Sequence, residues 1–156
     1  MITKPIPYGR QHITDEDIQC VIDALKSDYL TQGPKIKEFE EAFASYVGCK
    51  YAIAVNNATA GLHLAATALD VNLGDKVIVT PLTFAASANC IRFRGGEVVF
   101  CDVEEDTYLM DIKKLSRLLS QSPKGTYKGI VLVDFAGYPA NLEPFVNWRM
   151  STAYGL

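Results

Sequence analysis

The sequence predicts an α/β domain, a mostly parallel sheet flanked by helices. Three observations carry that prediction. From Tyr51 onward, short apolar runs of strand length alternate with helix-length segments, and strands separated by helices pair in parallel through right-handed crossovers. Those runs are apolar nearly throughout, as strands covered on both faces are. At 156 residues, with 49% hydrophobic and 21% charged positions, the chain is long and apolar enough to bury one core.

Each element follows from local pattern. The first helix starts at Thr14, whose hydroxyl caps while Asp17 stands three residues on in a capping-box arrangement, and Ile18, Val21, Ile22 and Leu25 form its apolar stripe. It ends before the turn-rich Leu30-Thr31-Gln32-Gly33-Pro34. A second amphipathic helix carries Ile36, Phe39, Phe43, Tyr46 and Val47 at helical spacing, with Gly48 as C-cap. Strands are expected at 51–55, 76–80, 97–101 and 129–134, and helices near 59–69, 83–93 and 112–119. A last helix is expected over 141–153, capped by Asn141, with Pro144 in its first turn and Leu142, Phe145, Val146 and Ala153 inward. Gly155 then stands where a further strand would begin. The expected domains are an arm with two helices over 1–48 and an incomplete α/β domain over 49–156.

Composition narrows the function. A net charge of −3 with no basic cluster argues against nucleic acid or an anionic membrane as the main partner. Cys20, Cys49, Cys90 and Cys101 are far apart, with no C-x-x-C pair and no histidines at ligand spacing, so no metal is expected and free buried thiols are. The N-terminus opens no apolar signal region and no run is long enough to cross a bilayer, so a cytoplasmic protein is expected. No G-x-G-x-x-G and no G-x-x-x-x-G-K-[ST] occurs, which counts against dinucleotide and P-loop chemistry.

The chemistry concentrates where an expected strand ends and a helix begins, at Val55-Asn56-Asn57-Ala58-Thr59-Ala60-Gly61-Leu62. The first amides of a helix lack intrahelical partners and lie at the positive end of its dipole, so they favour an oxyanion, and Thr59 adds a hydroxyl donor. Asn57 and Thr59 also suit an ordinary N-cap, so the junction alone leaves both readings open. Open α/β sheets bind ligands beyond the carboxyl ends of their strands. There the sequence places Asn57, Ala58 and Thr59, then Pro81 to Phe84, then Asp102, then Asp134 to Gly137. A phosphate cradle and an aromatic ring at one rim suit a flat, phosphorylated heteroaromatic cofactor. Asp102 and Asp134 stand at strand ends, where a carboxylate can satisfy a loop or pair with a cofactor's ring nitrogen. His12 and His63 read as solvated or packing histidines. Tyr8 and Arg10 lie in an arm able to reach a substrate or a neighbouring subunit.

The runs Leu30 to Glu40, Ala52 to His63, Gly74 to Phe84, Val98 to Val103 and Val133 to Pro139, in that order over nearly the whole chain, resemble the sugar aminotransferases of the DegT/DnrJ/EryC1/StrS family. The resemblance implies the N-terminal part of the large domain of a fold-type I pyridoxal-phosphate transferase. It implies that Asn57, Ala58 and Thr59 hold the cofactor phosphate, where members often carry Ser-Gly-Thr, and that Phe84 stacks on the pyridine ring. It implies amino transfer, from glutamate, to C4 of a nucleotide-linked 4-keto-6-deoxy sugar used for surface polysaccharide or glycan precursors, by a homodimer. The family's pyridinium aspartate and Schiff-base lysine would fall after Leu156, which leaves Asp102 and Asp134 as strand-end residues that satisfy loops, and no lysine here has the family's Ser-Phe-His-x-x-Lys context. No catalytic residue is therefore assigned, and this polypeptide alone is expected to be inactive. The alternative expectation is a naturally truncated, non-catalytic partner of a full-length subunit.

Overall fold

The computed structural model describes residue 7 and residues 9–146. Two compact units are present, Met1–Ala54 and Val55–Leu156.

The first unit holds α1 (Asp15–Lys26) and α2 (Pro34–Val47). Helix α1 starts on the expected capping box: the Asp17 carboxylate accepts from the Thr14 amide at 2.7 Å, and the Asp17 amide donates to the Thr14 hydroxyl at 3.3 Å. The bond from the Thr14 amide and a second from the Thr14 hydroxyl to the same carboxylate at 2.8 Å hold the Asp17 carboxyl below its ordinary value. Helix α2 starts with Pro34 at its first position and stops at Gly48, whose φ of 71° is the left-handed C-cap that glycine adopts without strain. Both apolar stripes are open, with Ile18, Val21, Leu25, Phe39 and Phe43 exposed.

The expected strand over 51–55 does not form. Its residues have no regular secondary structure, and Tyr51 and Ile53 are exposed. A strand exists only as a member of a ladder, and no described residue pairs with this segment. Glu40 instead accepts a hydrogen bond from the Ala54 amide at 2.8 Å.

The second unit is a three-layer sandwich. Its elements run α3 (Ala58–Ala68), β1 (Lys76–Val79), α4 (Ala86–Phe93), β2 (Glu97–Phe100), α5 (Ile112–Ser120) and β3 (Tyr127–Val131). A 3₁₀ turn follows over Phe135–Gly137. The sheet has the order β2-β1-β3, and both pairs are parallel, as the strand–helix rhythm predicts. Strand β3 starts two residues earlier than expected and ends three earlier, and α4 starts at Ala86 rather than 83. Central strand β1 is buried on both faces. Val77 and Val79 pack with Ala66, Val71, Cys90 and Ile91 under α3 and α4, while Ile78 packs with Cys101, Met110, Leu115 and Tyr127 under α5.

Gly96, at the turn into β2, is a close-approach position. A Cβ there would lie 2.7 Å from Ile91 Cγ2 and 2.9 Å from Val71 Cγ1. Cys90 and Cys101 are buried as expected, and burial raises both thiol pKa values; Cys20 and Cys49 are exposed, contrary to expectation, because they sit on helix surfaces and ends that nothing described covers. In the last expected helix, residues 143–146 are helical and Phe145 packs on the second core, but Leu142 and Val146 are exposed rather than inward. Residues 147–156 lie outside the described residues, as does Tyr8.

Candidate functional site

Which end of the sheet carries a site follows from helix direction. Helix α3 leads into the start of β1, and α4 leads from the end of β1 to the start of β2, so both run against the strands. They pack on one another, and their carboxyl ends meet: Arg94, the C-cap of α4, donates from Nε to the Val71 carbonyl, just past α3, at 3.1 Å. Both amino ends therefore lie at the carboxyl rim of the sheet, where α/β folds bind ligands.

At that rim Asn57 is the N-cap of α3. Its extended backbone (φ −167°, ψ 166°) turns the chain into the helix, and its side-chain oxygen accepts from the Ala60 amide at 2.9 Å. The Asn57 carbonyl accepts from the Gly61 amide at 3.2 Å. The amides of Ala58 and Thr59 and the half-buried Thr59 hydroxyl donate to no described residue. They form a set of open donors at the positive end of an 11-residue helix.

Phe84 lies in the turn between β1 and α4. It is 77% exposed, so it is no core aromatic, and its carbonyl accepts from the Ser87 amide at 3.0 Å. An open aromatic face and a cluster of open donors on one rim fit a ring that carries a phosphate. The donor set is neutral apart from the helix dipole, so it suits an anion and gives a cation nothing.

Other residues at the strand ends do structural work. Asp102 accepts from Lys114 Nζ at 2.8 Å and from the Val103 amide at 2.9 Å, and these bonds, Lys114 first, hold its carboxyl below the ordinary value. The same pairing raises Lys114. Asp134 closes its loop by accepting from the Ala140 amide at 2.9 Å. His63 is exposed, its ring edge-on to Phe93 at 5.5 Å, and His12 is exposed outside any regular element. Arg10 is exposed as well. Among the described residues no acidic, histidine or cysteine cluster could hold a metal ion, and no helix is long and apolar enough to cross a membrane.

Two features escaped the sequence reading. Thr80, 1% exposed at the end of β1, has a hydroxyl with no partner among the described residues, an arrangement that costs about 1–3 kcal/mol. Its signal was a lone hydroxyl residue closing an apolar strand before proline. Thr83 and Ser87 hydrogen-bond through their hydroxyls at 2.8 Å across the turn that carries Phe84, a spacing of four that is visible in the sequence.

Comparison with known proteins agrees with this geometry. The family model described as the DegT/DnrJ/EryC1/StrS aminotransferase family matches residues 11–156. The chain is 41% identical over 143 residues to the UDP-4-amino-4,6-dideoxy-N-acetyl-beta-L-altrosamine transaminase of Campylobacter jejuni, covering 91% of this chain and 37% of that protein. Among solved structures it is similar to a protein assigned as a sugar aminotransferase in Streptococcus pneumoniae, in its PLP form, at 34% identity and a TM-score of 0.83, covering 91% of this chain and 35% of that one. A Helicobacter pylori aminotransferase involved in the biosynthesis of pseudoaminic acid gives 28% identity and a TM-score of 0.83, covering 96% of this chain and 40% of that one. The chain thus spans little more than a third of the length of the curated relatives it matches. The architecture is the N-terminal part of the large domain of a fold-type I pyridoxal-phosphate transferase.

Proposed function

The chain belongs to the DegT/DnrJ/EryC1/StrS aminotransferase family, and on that premise we propose that it is the part of a sugar aminotransferase that grips the cofactor phosphate. The family depends on pyridoxal phosphate. The whole enzyme, in this reading, transfers an amino group from glutamate to C4 of a nucleotide-linked 4-keto-6-deoxy sugar for surface polysaccharide or glycan precursors. It works as a cytoplasmic homodimer with no nucleic acid or membrane partner. The names of the Campylobacter jejuni and Helicobacter pylori relatives support the sugar class.

One observation carries the reading: the open donors of Ala58 and Thr59 share a rim with the open ring of Phe84. When bound, the cofactor supplies an electron sink for the carbon that gains or loses the amine. This chain's residues hold and orient it. Hydrogen bonds from the two amides and the Thr59 hydroxyl to a phosphate are charge-assisted and worth about 1.5–3 kcal/mol each, and the α3 dipole adds about 0.3–1 kcal/mol. Asn57 keeps those amides aimed outward by capping the helix with its side chain. Phe84 stacks on the ring, worth about 0.5–1.5 kcal/mol beyond the area it covers, and so sets the plane in which the ring lies. The domain assignment in this reading is an arm with two helices over 1–48 and an incomplete cofactor domain over 49–156. No proton transfer is assigned to any residue of this chain.

The test is equilibrium dialysis with pyridoxamine phosphate, which carries the ring and the phosphate but has no aldehyde to condense with surface lysines. The chain binds one equivalent, and Thr59→Val weakens that binding about tenfold, the lower end expected for one hydrogen bond to a charged group. Unchanged affinity in Thr59→Val would overturn the assignment of the cradle.

A further inference from the structure

We propose that Thr83 and Ser87 are positioning residues that set the plane of the Phe84 ring; the proposal rests on the reading that Phe84 stacks on the cofactor. A stacking ring needs a fixed direction, yet Phe84 is 77% exposed and packing cannot supply one. Its direction is set by the backbone of its turn. That turn enters α4 through Ala85, an N-cap with no side-chain hydrogen bond, so the usual device for fixing a helix start is missing. What spans the turn is the 2.8 Å bond between the Thr83 and Ser87 hydroxyls, one residue before Phe84 and three after it.

The far end of this brace is firmly held. Ser87 is 7% exposed, its amide donates to the Phe84 carbonyl at 3.0 Å, and its carbonyl accepts from the Cys90 thiol at 3.3 Å. The near end, Thr83, is half-buried next to Phe84. Neither hydroxyl has another side-chain partner among the described residues, so removing either one removes the side-chain brace, leaves the turn tied only by its backbone bonds, and leaves the cradle at Ala58 and Thr59 untouched.

A double-mutant cycle tests this, read as dissociation constants for pyridoxamine phosphate and, separately, for inorganic phosphate. Phe84→Ala should weaken pyridoxamine phosphate about two- to tenfold and leave inorganic phosphate unchanged. Thr83→Val should weaken pyridoxamine phosphate about two- to fivefold, a share of the stacking effect, and also leave inorganic phosphate unchanged. Thr83→Ser should restore binding, and in the Phe84→Ala background Thr83→Val should have no further effect. Ser87→Ala, which strands no buried hydroxyl, makes the same measurement if Thr83→Val does not fold. Equal losses from Thr83→Val with and without Phe84, or an equal loss of inorganic phosphate binding, would overturn the positioning role while the stacking reading stands. A Phe84→Ala protein that binds as the parent does would overturn both.

Discussion

Replacing Ala58 by proline removes one hydrogen-bond donor from the cradle and almost nothing else. Ala58 is the first residue of α3, the helical position at which proline is best tolerated, because its amide has no intrahelical acceptor in any case. The residue before a proline must be extended, and Asn57 already is, at φ −167° and ψ 166°. The Ala58 amide donates to no described residue, so no internal hydrogen bond is lost. The protein should keep its stability or gain about 0.4–1 kcal/mol from the stiffer unfolded chain. Affinity for a phosphate should fall by one charge-assisted hydrogen bond, about 1.5–3 kcal/mol or roughly 10- to 150-fold. Urea denaturation reads the first quantity; dialysis against pyridoxamine phosphate and inorganic phosphate reads the second. A stable Ala58→Pro protein that binds both ligands as the parent does would refute the claim that this amide faces a phosphate.

Three further outcomes follow from the same contacts. Asn57→Asp keeps the cap acceptor but places a negative charge beside the cradle; at an effective dielectric between water and a protein surface this repulsion is about 1–4 kcal/mol, so phosphate binding should fall at least roughly fivefold while the melting temperature holds. Gly96→Ala forces a methyl into Ile91 and Val71 and should destabilise the second unit by about 1–3 kcal/mol in urea denaturation; an unchanged midpoint would show that the turn yields freely. The Asp17 carboxyl is held below the ordinary aspartate value by Thr14, so the capping box contributes stability that is fully present above that ordinary value and is lost as pH falls through the lower folded value. Carbon-detected NMR titration should find the Asp17 midpoint below that of an unpaired aspartate and find it restored in Thr14→Ala; no difference between the two proteins would remove Thr14 as the cause.

Elements whose cause is local were legible in the sequence. Thr14 and Asp17 marked the start of α1 and Gly48 the stop of α2, because each acts within one helical turn, while α3 starts one residue before the expected 59, on Asn57, one of two caps the sequence offered. The parallel sheet was legible from its rhythm, and the double-sided burial of β1 from its unbroken apolar run. The segment 51–55 reads as a strand on composition but forms none, since pairing is a property of two segments and no described residue supplies the second. For the same reason the stripes of α1 and α2 were read correctly as apolar faces, while their exposure could not be read. At the site, the open amides follow from helix geometry alone. For Thr80, Thr83 and Ser87 the residue types and spacing are visible in the sequence, but the orphaned hydroxyl and the Thr83–Ser87 bond also depend on side-chain directions after β1, which the sequence pattern does not specify.

The most direct test of the central claim is amide-resolved NMR of the chain titrated first with inorganic phosphate and then with pyridoxamine phosphate. Both ligands should shift Ala58 and Thr59, only the second should shift Phe84, and the two sets should saturate together for the second ligand. Shifts centred elsewhere, or a Phe84 that ignores pyridoxamine phosphate while the amides respond, would contradict that claim.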